Sequence, residues 1–591
     1  MTIDPKDFRT LLARVALVTF ALRAALMFTL DLSPLEAAPA LGAMRDGAPA
    51  DLWGRAVHAW TVQSGGSAGL MRLPSLFAEV ALPLLAVGFA RVAGWGSLSG
   101  LFVGLACGLG PWAMQAGHRL GAASWVALAV LLALLWLRGG VRDGDPRRVW
   151  ASASVVAVGG CLWAPMLLAV PAGIYVAWRA VADDRLRAQA AIGWGVAAAG
   201  AVGVRVAFGG FILPEPDAAA AAWIDADLWG HTGWPAAGGW ALAQALALVS
   251  PIGPAGELSA QLDLMPTPSW SAALGLALLA GAAWGWARGL VQPDPPIAVA
   301  RTPAAANDGT QDDDDPDAAT GAGARDGWRS LGVLLPAVPR ELGDRDGMPF
   351  VLLALASAVF ALQAALRGRA DGLGEALAVG RLGAAVLVGV GLAALATTRA
   401  AASDPGHPRV RRRAYQVLGL AAVALFAAGA WHLLAQVNHP ERAGPRKVAR
   451  FARDAASDVS VVGDGKAALL GVGARALPVA ALIDPSRSWP LLGVAKAEAG
   501  DAATQLVALL YGQPRAVVLF GDAGALSGDD TLPRASRAVA EALAHTLALA
   551  GFEQVPDSHR QLGPTAVVVY SRQRPTDPRT IRPQLAPGVP P

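Results

Sequence analysis

The sequence predicts an α-helical polytopic membrane protein with about eleven transmembrane helices and a small α/β domain following the last of them. Three observations support this. Of 591 residues, 54% are hydrophobic and only 16% charged, with a mean hydropathy of +0.43, whereas an average soluble domain is about 25% charged. So few charges cannot cover one or two globular cores, and the excess apolar surface must face lipid. Apolar segments of spanning length recur along the chain, and after Asn438 the hydropathy falls and strand-like runs appear.

A hydrocarbon core about 30 Å thick takes roughly 20 residues of helix. The first such segment, 10 to 30, follows Lys6, Arg9 and Arg14. It imitates a signal peptide, but no small-residue cleavage site precedes the acidic loop, so it reads as a retained helix. Spans follow near 72 to 93, 96 to 114 and 121 to 137.

The next apolar stretch, Val149 to Ala177, has arginines on both flanks: Arg138, Arg142, Arg147 and Arg148 before it, Arg179, Arg185 and Arg187 after it. Positive flanks stay in the cytoplasm, so an even number of crossings is required. The spacing predicts two short helices broken at Trp163-Ala164-Pro165, where the proline cannot continue the ladder. Further spans fall near 189 to 208, 270 to 288, 349 to 366, 382 to 398 and 414 to 436. Eleven crossings from a cytoplasmic N-terminus leave the C-terminal domain outside. The loop carrying Arg409, Arg411, Arg412 and Arg413 then falls in the cytoplasm, as its charge demands. Residues 237 to 250 are apolar but short, and are either an interfacial or re-entrant helix or a further span; the arginine loop favours the former.

Residues 293 to 346 change to Pro, Asp, Ala and Gly, with an acidic run from Asp312 to Asp315, the composition of a disordered, solvated cytoplasmic linker. From 438 to 580, Val459–Val462, Ala516–Phe520 and Ala566–Tyr570 read as strands and Ala535–Ala550 as a helix. Gly463-Asp464-Gly465-Lys466 lacks the Walker spacing and reads as a strand-exit turn. A Pro-rich tail occupies 581 to 591.

The net charge of +3 (48 minus 45) is uninformative, and no nucleic-acid partner is expected. Only four of the basic residues are lysines and the chain is rich in Ala and Gly, which suggests a GC-rich bacterial genome and hence the bacterial inner membrane. Cys107 and Cys161 lie in apolar stretches and read as membrane-buried thiols. No zinc-type cluster occurs, so any divalent cation would need carboxylates from separate loops.

Ionisable residues at the rim of spans point to a site. The first external loop, 31 to 70, holds Asp31, Glu36, Arg45, Asp46, Asp51, Arg55 and His58 interleaved with Trp53 and Trp60. Its aromatics suit short helices lying at the membrane surface. Arg23, deep in the first span, is expected to pair internally with Glu79. A second external loop, 209 to 269, carries Glu215, Asp217, Asp225, Asp227 and His231 with Trp223, Trp229 and Trp234, a mixture suited equally to sugar binding and to an interfacial loop.

Three stretches resemble the GT-C integral-membrane glycosyltransferases that use polyprenyl-phosphate sugars, the superfamily of protein mannosyltransferases and aminoarabinose transferases. Arg23 followed by Leu32-Ser33-Pro34-Leu35-Glu36-Ala37 is similar to the family's first helix and the acidic pair opening its first external loop. Arg72-Leu73-Pro74-Ser75 is similar to the start of the family's second helix. Gly110 to Arg119 resembles the outer end of the third helix, where the family carries Gln-Glu-Ala-Arg. These cover about the first 180 residues, in matching order.

The resemblance implies transfer of a sugar from a polyprenyl-phosphate donor to a lipid, glycan or protein acceptor at the outer face of the membrane. A carboxylate draws off the acceptor proton and cations neutralise the departing phosphate. Glu36 is the one aligned carboxylate left for the base role, with Asp31 or Asp46 as substitutes if the loop shifts register; Arg72, His118 and Arg119, at outer helix ends in this topology, either hold the phosphate or snorkel to headgroups. From the mix of aromatic and polar residues in the two external loops, Trp53, Asp51, Trp229 and His231 are the candidates for contact with the sugar. Two family acids are missing: the catalytic aspartate aligns with Leu35 and the glutamate after Gln115 with Ala116. The alternative is an inactive relative that binds lipid-linked sugars or scaffolds an envelope complex. A transporter or flippase, which would show two related halves, finds no internal repeat in its favour.

Overall fold

The computed structural model describes residues 5–29, 31–32, 34–41, 52–110, 122–180, 184–207, 347–367, 373–397, 444–457, 466–487, 489–494, 499–527 and 534–572, with isolated positions between 416 and 427. The helices of the first half are α1 (Pro5–Thr29), α2 (Pro34–Leu41), α3 (Leu52–Gln63), α4 (Ala68–Met71), α5 (Leu73–Val92), α6 (Gly96–Leu109), α7 (Ala123–Asp143), α8 (Pro146–Leu162), α9 (Val170–Ala180) and α10 (Asp184–Ala207). Then come α11 (Met348–Arg367) and α12 (Leu373–Thr397).

Among the described residues, four helices are long and apolar enough to cross a membrane: Leu73–Val92, Ala123–Asp143, Arg185–Ala207 and Ala376–Ala393. Their surroundings identify the solvent. Leu17, Phe20 and Phe28 on α1, Phe77 on α5, Ile192, Val196 and Val206 on α10, and Leu355 and Val359 on α11 are all exposed. Outward faces this apolar on so many helices fit lipid and not water. This is a membrane protein with a helical bundle.

The bundle is built around α12. Its apolar window is 94% buried, against 28% for α10, which marks α12 as the centre and α10 as periphery. Glycines let it be central. A Cβ on Gly383 would lie 2.6 Å from the Phe350 carbonyl oxygen, and one on Gly389 2.5 Å from Val103 Cα, so α11 and α6 approach α12 backbone to backbone. The helix begins at Leu373, nine residues ahead of the expected start at 382. The added turns carry Arg381, which is only 5% exposed inside the bundle.

The predicted break in the fifth apolar stretch is present. α8 ends at Leu162, Trp163 is extended (φ −137°, ψ 107°), and a 3-10 segment, Ala164–Ala169, leads into α9. Spans predicted near 72 to 93, 121 to 137, 189 to 208 and 349 to 366 coincide with α5, α7, α10 and α11. In place of a span reaching 114, α6 ends at Leu109, where Gly110 turns to extended geometry. The spans at 270 to 288 and 414 to 436, the loop 209 to 269, the segment 237 to 250 and the linker up to 346 lie outside the described residues, apart from isolated positions.

The C-terminal domain comprises α13 (Pro445–Ser457), β1 (Ala467–Val472), α14 (Ala476–Ile483), β2 (Leu491–Leu492), α15 (Ala499–Leu510), β3 (Ala516–Asp522), α16 (Ala523–Ser527), α17 (Arg534–Leu549), β4 (Phe552–Gln554), β5 (Arg560–Leu562) and β6 (Thr565–Arg572). The sheet order is β2-β1-β3-β6-β4, with β5 also on β6; β1 runs parallel to β2 and β3, and β6 antiparallel to β3. Two of the predicted strands and the predicted helix match β3, β6 and α17. The expected strand 459 to 462 lies outside the described residues. Among the described residues Lys466 is followed at once by β1, and Gly463-Asp464-Gly465 lie outside them.

Side chains alternate across the sheet. Leu470, Val472, Val517 and Leu519 pack under α15 and α17. Leu469, Val518 and Phe520 face the other way, into a core shared with α13 and α14. That second core does not stop at the domain edge. It continues through Ala37, Ala40 and Leu41 of α2, Val57 of α3, Ala68 and Met71 of α4, to Ala361 of α11 and Leu377 of α12. The short helices of the first loop exist as expected, but they are roofed by the sheet domain instead of lying open at the surface. α2 is covered by α14, whose residues Ala476–Leu482 are all buried. The first loop and the C-terminal domain therefore share one end of the bundle, the arrangement that an even number of crossings between them produces.

Candidate functional site

At that end, the chain brings Glu36 and Arg72 together. Ser67 caps α4, and Arg72 is the single residue between α4 and α5, with Pro74 in the first turn of α5. The helix junction leaves Arg72 pointing under the loop, where it is fully buried. Its Nε donates to Glu36 Oε1 at 2.8 Å and its Nη2 to Glu36 Oε2 at 2.9 Å, a bidentate fork. Nη2 also donates to the Asp31 carbonyl at 2.8 Å and Nη1 to that of Met27 at 3.4 Å. Glu36, in the first turn of α2, is 2% exposed.

Asp31 has a different task. Its Oδ2 accepts the backbone N–H of Arg446 at 2.8 Å and its Oδ1 lies 2.8 Å from Arg446 Nε. A carboxylate from the first loop thus caps the N-terminus of α13, where orphan N–H groups and the helix dipole favour negative charge. Arg446 further donates to the Phe28 carbonyl at 3.2 Å.

Trp53 packs edge to face on Trp163 with ring centroids 5.4 Å apart, joining α3 to the α8–α9 break. His58 Nδ1 lies 3.1 Å from the Ala40 carbonyl, and Trp60 Nε1 donates to that of Leu70 at 2.9 Å, so α2, α3 and α4 form one unit. Asp46, Asp51, His118, Arg119, Trp229 and His231 lie outside the described residues.

About two helical turns deeper, a second charged cluster is enclosed by the bundle. Arg23 and Glu79 form the expected ion pair, with Arg23 1% and Glu79 3% exposed. Ser124 Oγ donates to Glu79 Oε1 at 2.6 Å, and Arg23 Nη2 to the Gly108 carbonyl at 3.3 Å. Arg23, Glu79 and Ser124, with Arg381, Cys107 and several apolar side chains of α5, α7 and α12, line a cavity of about 30 Å³, room for a single water. Ions at this depth are retained only when paired, and their pairing here ties α1, α5 and α7 together. Cys107 and Cys161 are free thiols.

The C-terminal domain holds a third polar feature. Gly471-Val472-Gly473-Ala474-Arg475-Ala476 turns from β1 into α14, with Gly473 at φ +77°. A glycine-rich strand-to-helix turn beside the switch between β1 and β3 is a place where ligands bind in open α/β sheets. Here the crevice is closed from within: Arg475 Nη1 donates to Asp522 Oδ2 at 2.7 Å, and Asp522 Cβ lies 2.9 Å from where a Gly473 Cβ would stand.

Among the described residues no three His, Cys, Asp or Glu side chains gather as a metal site. No protein-family model matches the sequence, and no curated protein sequence matches it. Arg446 and Arg381 were not singled out from sequence. A charge flanked on both sides by apolar helix was the signal for Arg381; for Arg446, whose partner is 415 residues away, there was none.

Proposed function

We propose that the protein is a GT-C-like membrane glycosyltransferase that moves a sugar from a polyprenyl-phosphate carrier to a lipid, glycan or protein acceptor at the outer face of the bacterial inner membrane. In this topology about eleven helices cross, the N-terminus is cytoplasmic, and the first loop and C-terminal domain are extracytoplasmic. One observation supports it above others. The acid and the cation that the family resemblance picks out, Glu36 and Arg72, 36 residues apart, are in direct contact under the first loop.

The contact suggests how they work. A donor phosphate needs the Arg72 fork that Glu36 occupies, so phosphate arrival exchanges one anion for another. The released Glu36 carboxylate then takes the acceptor proton as the acceptor oxygen or nitrogen bonds to the anomeric carbon. The carbon–oxygen bond to phosphate breaks, and the polyprenyl phosphate leaves with its bonding electrons, stabilised by Arg72 and, as the family resemblance implies, by His118 and Arg119.

A second reading, a non-catalytic relative that binds lipid-linked sugars or scaffolds an envelope complex, is favoured by the same pairing. Both Asp31 and Glu36 are engaged by arginines, and Leu35 replaces the family aspartate. The experiment is transfer of radiolabel from a panel of polyprenyl-phosphate sugars into envelope fractions of a strain lacking the gene. Label with wild type that disappears with Glu36→Gln, in protein shown to be folded, supports the enzyme and its base. Label that persists with Glu36→Gln but disappears with Asp46→Asn moves the base to Asp46. Absence of label from every donor, with Leu35→Asp also silent, supports the second reading.

A further inference from the structure

We infer that the exposed basic face of α13 binds the anionic headgroups of the surrounding bilayer, and so fixes the C-terminal domain to the membrane surface. The sequence of α13, Pro445-Arg446-Lys447-Val448-Ala449-Arg450-Phe451-Ala452-Arg453-Asp454-Ala455-Ala456-Ser457, sorts at about 100° per residue into two arcs. Val448, Ala449, Ala452 and Ala455 are buried in the core shared with the sheet. Arg446, Lys447, Arg450 and Arg453 occupy the opposite arc and are exposed.

The arc carries four cations and one acid, Asp454. Asp454 lies 3.9 Å from Arg450, and both are largely exposed at 68% and 86%. An exposed pair of this kind neutralises little. Arg453 is partly tied down, its Nη2 donating to the Leu482 carbonyl at 2.6 Å. Lys447 and Arg450 are the cations left facing outward, beside Arg446.

Depth selects lipid as the partner. Arg446 donates to the carbonyl of Phe28, one residue from the end of α1, and Asp31 caps the same turn of α13. The Phe28 side chain is 53% exposed on the apolar outer face of α1. The last lipid-facing ring of a bundle helix and the first cation of α13 are therefore neighbours. A basic stripe starting where an apolar helix surface ends is at headgroup level, where phosphates of anionic lipids collect. The inference does not depend on glycosyl transfer.

The test uses the full-length protein in detergent micelles, titrated with phosphatidylglycerol and, separately, with phosphatidylcholine of the same acyl chains, and bound lipid counted by native mass spectrometry. Each cation at a surface is worth a factor of about 5 in lipid affinity. Lys447→Gln with Arg450→Gln should weaken phosphatidylglycerol binding about 25-fold and leave phosphatidylcholine unchanged. Lys447→Arg with Arg450→Lys should retain binding within about twofold. Both positions are exposed, and unchanged thermal unfolding confirms the fold. Phosphatidylglycerol binding that ignores the neutral double variant overturns the inference. So does loss in the charge-conserving variant, or a preference for polyprenyl phosphate over phosphatidylglycerol that the neutral variant abolishes, which would make the stripe a donor site. Phosphatidylcholine binding that falls in parallel overturns it as well.

Discussion

Arg72→Met and Glu36→Gln remove the two halves of one buried pair, and the halves are not equivalent. Arg72 is fully buried and Glu36 2% exposed, with two charge-assisted bonds of 2.8 and 2.9 Å between them. Taking away one partner of such a pair costs about 3–5 kcal/mol, whereas replacing both with apolar groups of similar size is often nearly neutral. In Glu36→Gln, Arg72 keeps its bonds to the Asp31 and Met27 carbonyls but holds a charge it cannot shed. In Arg72→Met, the orphaned carboxylate escapes by taking up a proton. Protonating an ordinary glutamate costs about 4 kcal/mol at pH 7 and about 1 kcal/mol at pH 5. The folded variant then binds a proton that the unfolded chain lacks, so its stability rises as pH falls. Arg72→Met should recover about 2–3 kcal/mol between pH 7 and 5 relative to wild type, and Glu36→Gln should recover none. The Glu36→Leu, Arg72→Met double variant should lose less than either single. The assay is denaturant or thermal unfolding in micelles, followed by maleimide reaction of Cys107, which is 1% exposed in the folded bundle. Additive losses in the double variant, or the same pH response in both singles, would refute the pairing as the source of the energy.

Asp31→Ala should remove both the cap and the ion pair at α13, raising hydrogen exchange at the first turn of α13 by about 10-fold, the measure of about 1.4 kcal/mol for a lost cap; Asp31→Asn, which keeps a capping oxygen, should raise it less. Gly389→Ala places a methyl 2.5 Å from Val103 Cα and should cost about 1–3 kcal/mol by forcing α6 from α12. Gly195→Ala on α10, with nothing within 4 Å, should be neutral or stabilise by up to about 1 kcal/mol in the same unfolding assay. Trp53→Ala should destabilise the α3 contact with Trp163 and Trp53→Phe should largely restore it, read by unfolding; an effect on sugar transfer at unchanged stability would instead place Trp53 at substrate.

Features written in local chemistry were legible. The break at Trp163-Ala164-Pro165 follows from one proline and the charge on its flanks, and the Arg23–Glu79 pair from the cost of two lone ions in apolar helices. β3 and β6 announce themselves with valine runs. β1 does not: Ala467–Val472 has a single β-branched residue, and it is a strand because it fills the space between β2 and β3. α12 begins nine residues ahead of the expected 382, and the added turns carry a charge, Arg381, that the bundle interior accommodates. The engagement of Asp31 by Arg446 and the roofing of α2 by α14 are contacts between chain segments more than 400 residues apart, and no local pattern records them. At the candidate site, therefore, the identities of Glu36 and Arg72 could be read but not their mutual occupation.

The central position of α12 bears on the making of the protein. A chain inserted from its N-terminus places α6 and α7 in the bilayer long before residue 373 is synthesised, yet both helices pack on α12, α6 at the close approach that Gly389 allows. Until it arrives, the early helices border a gap that only lipid or a chaperone can fill, and Glu79 and Arg23 stand near its edge. Ribosome stalling or truncation ahead of residue 373 should therefore yield an inserted but open half-bundle, and quality-control proteases that sense polar groups in the bilayer have their substrate there.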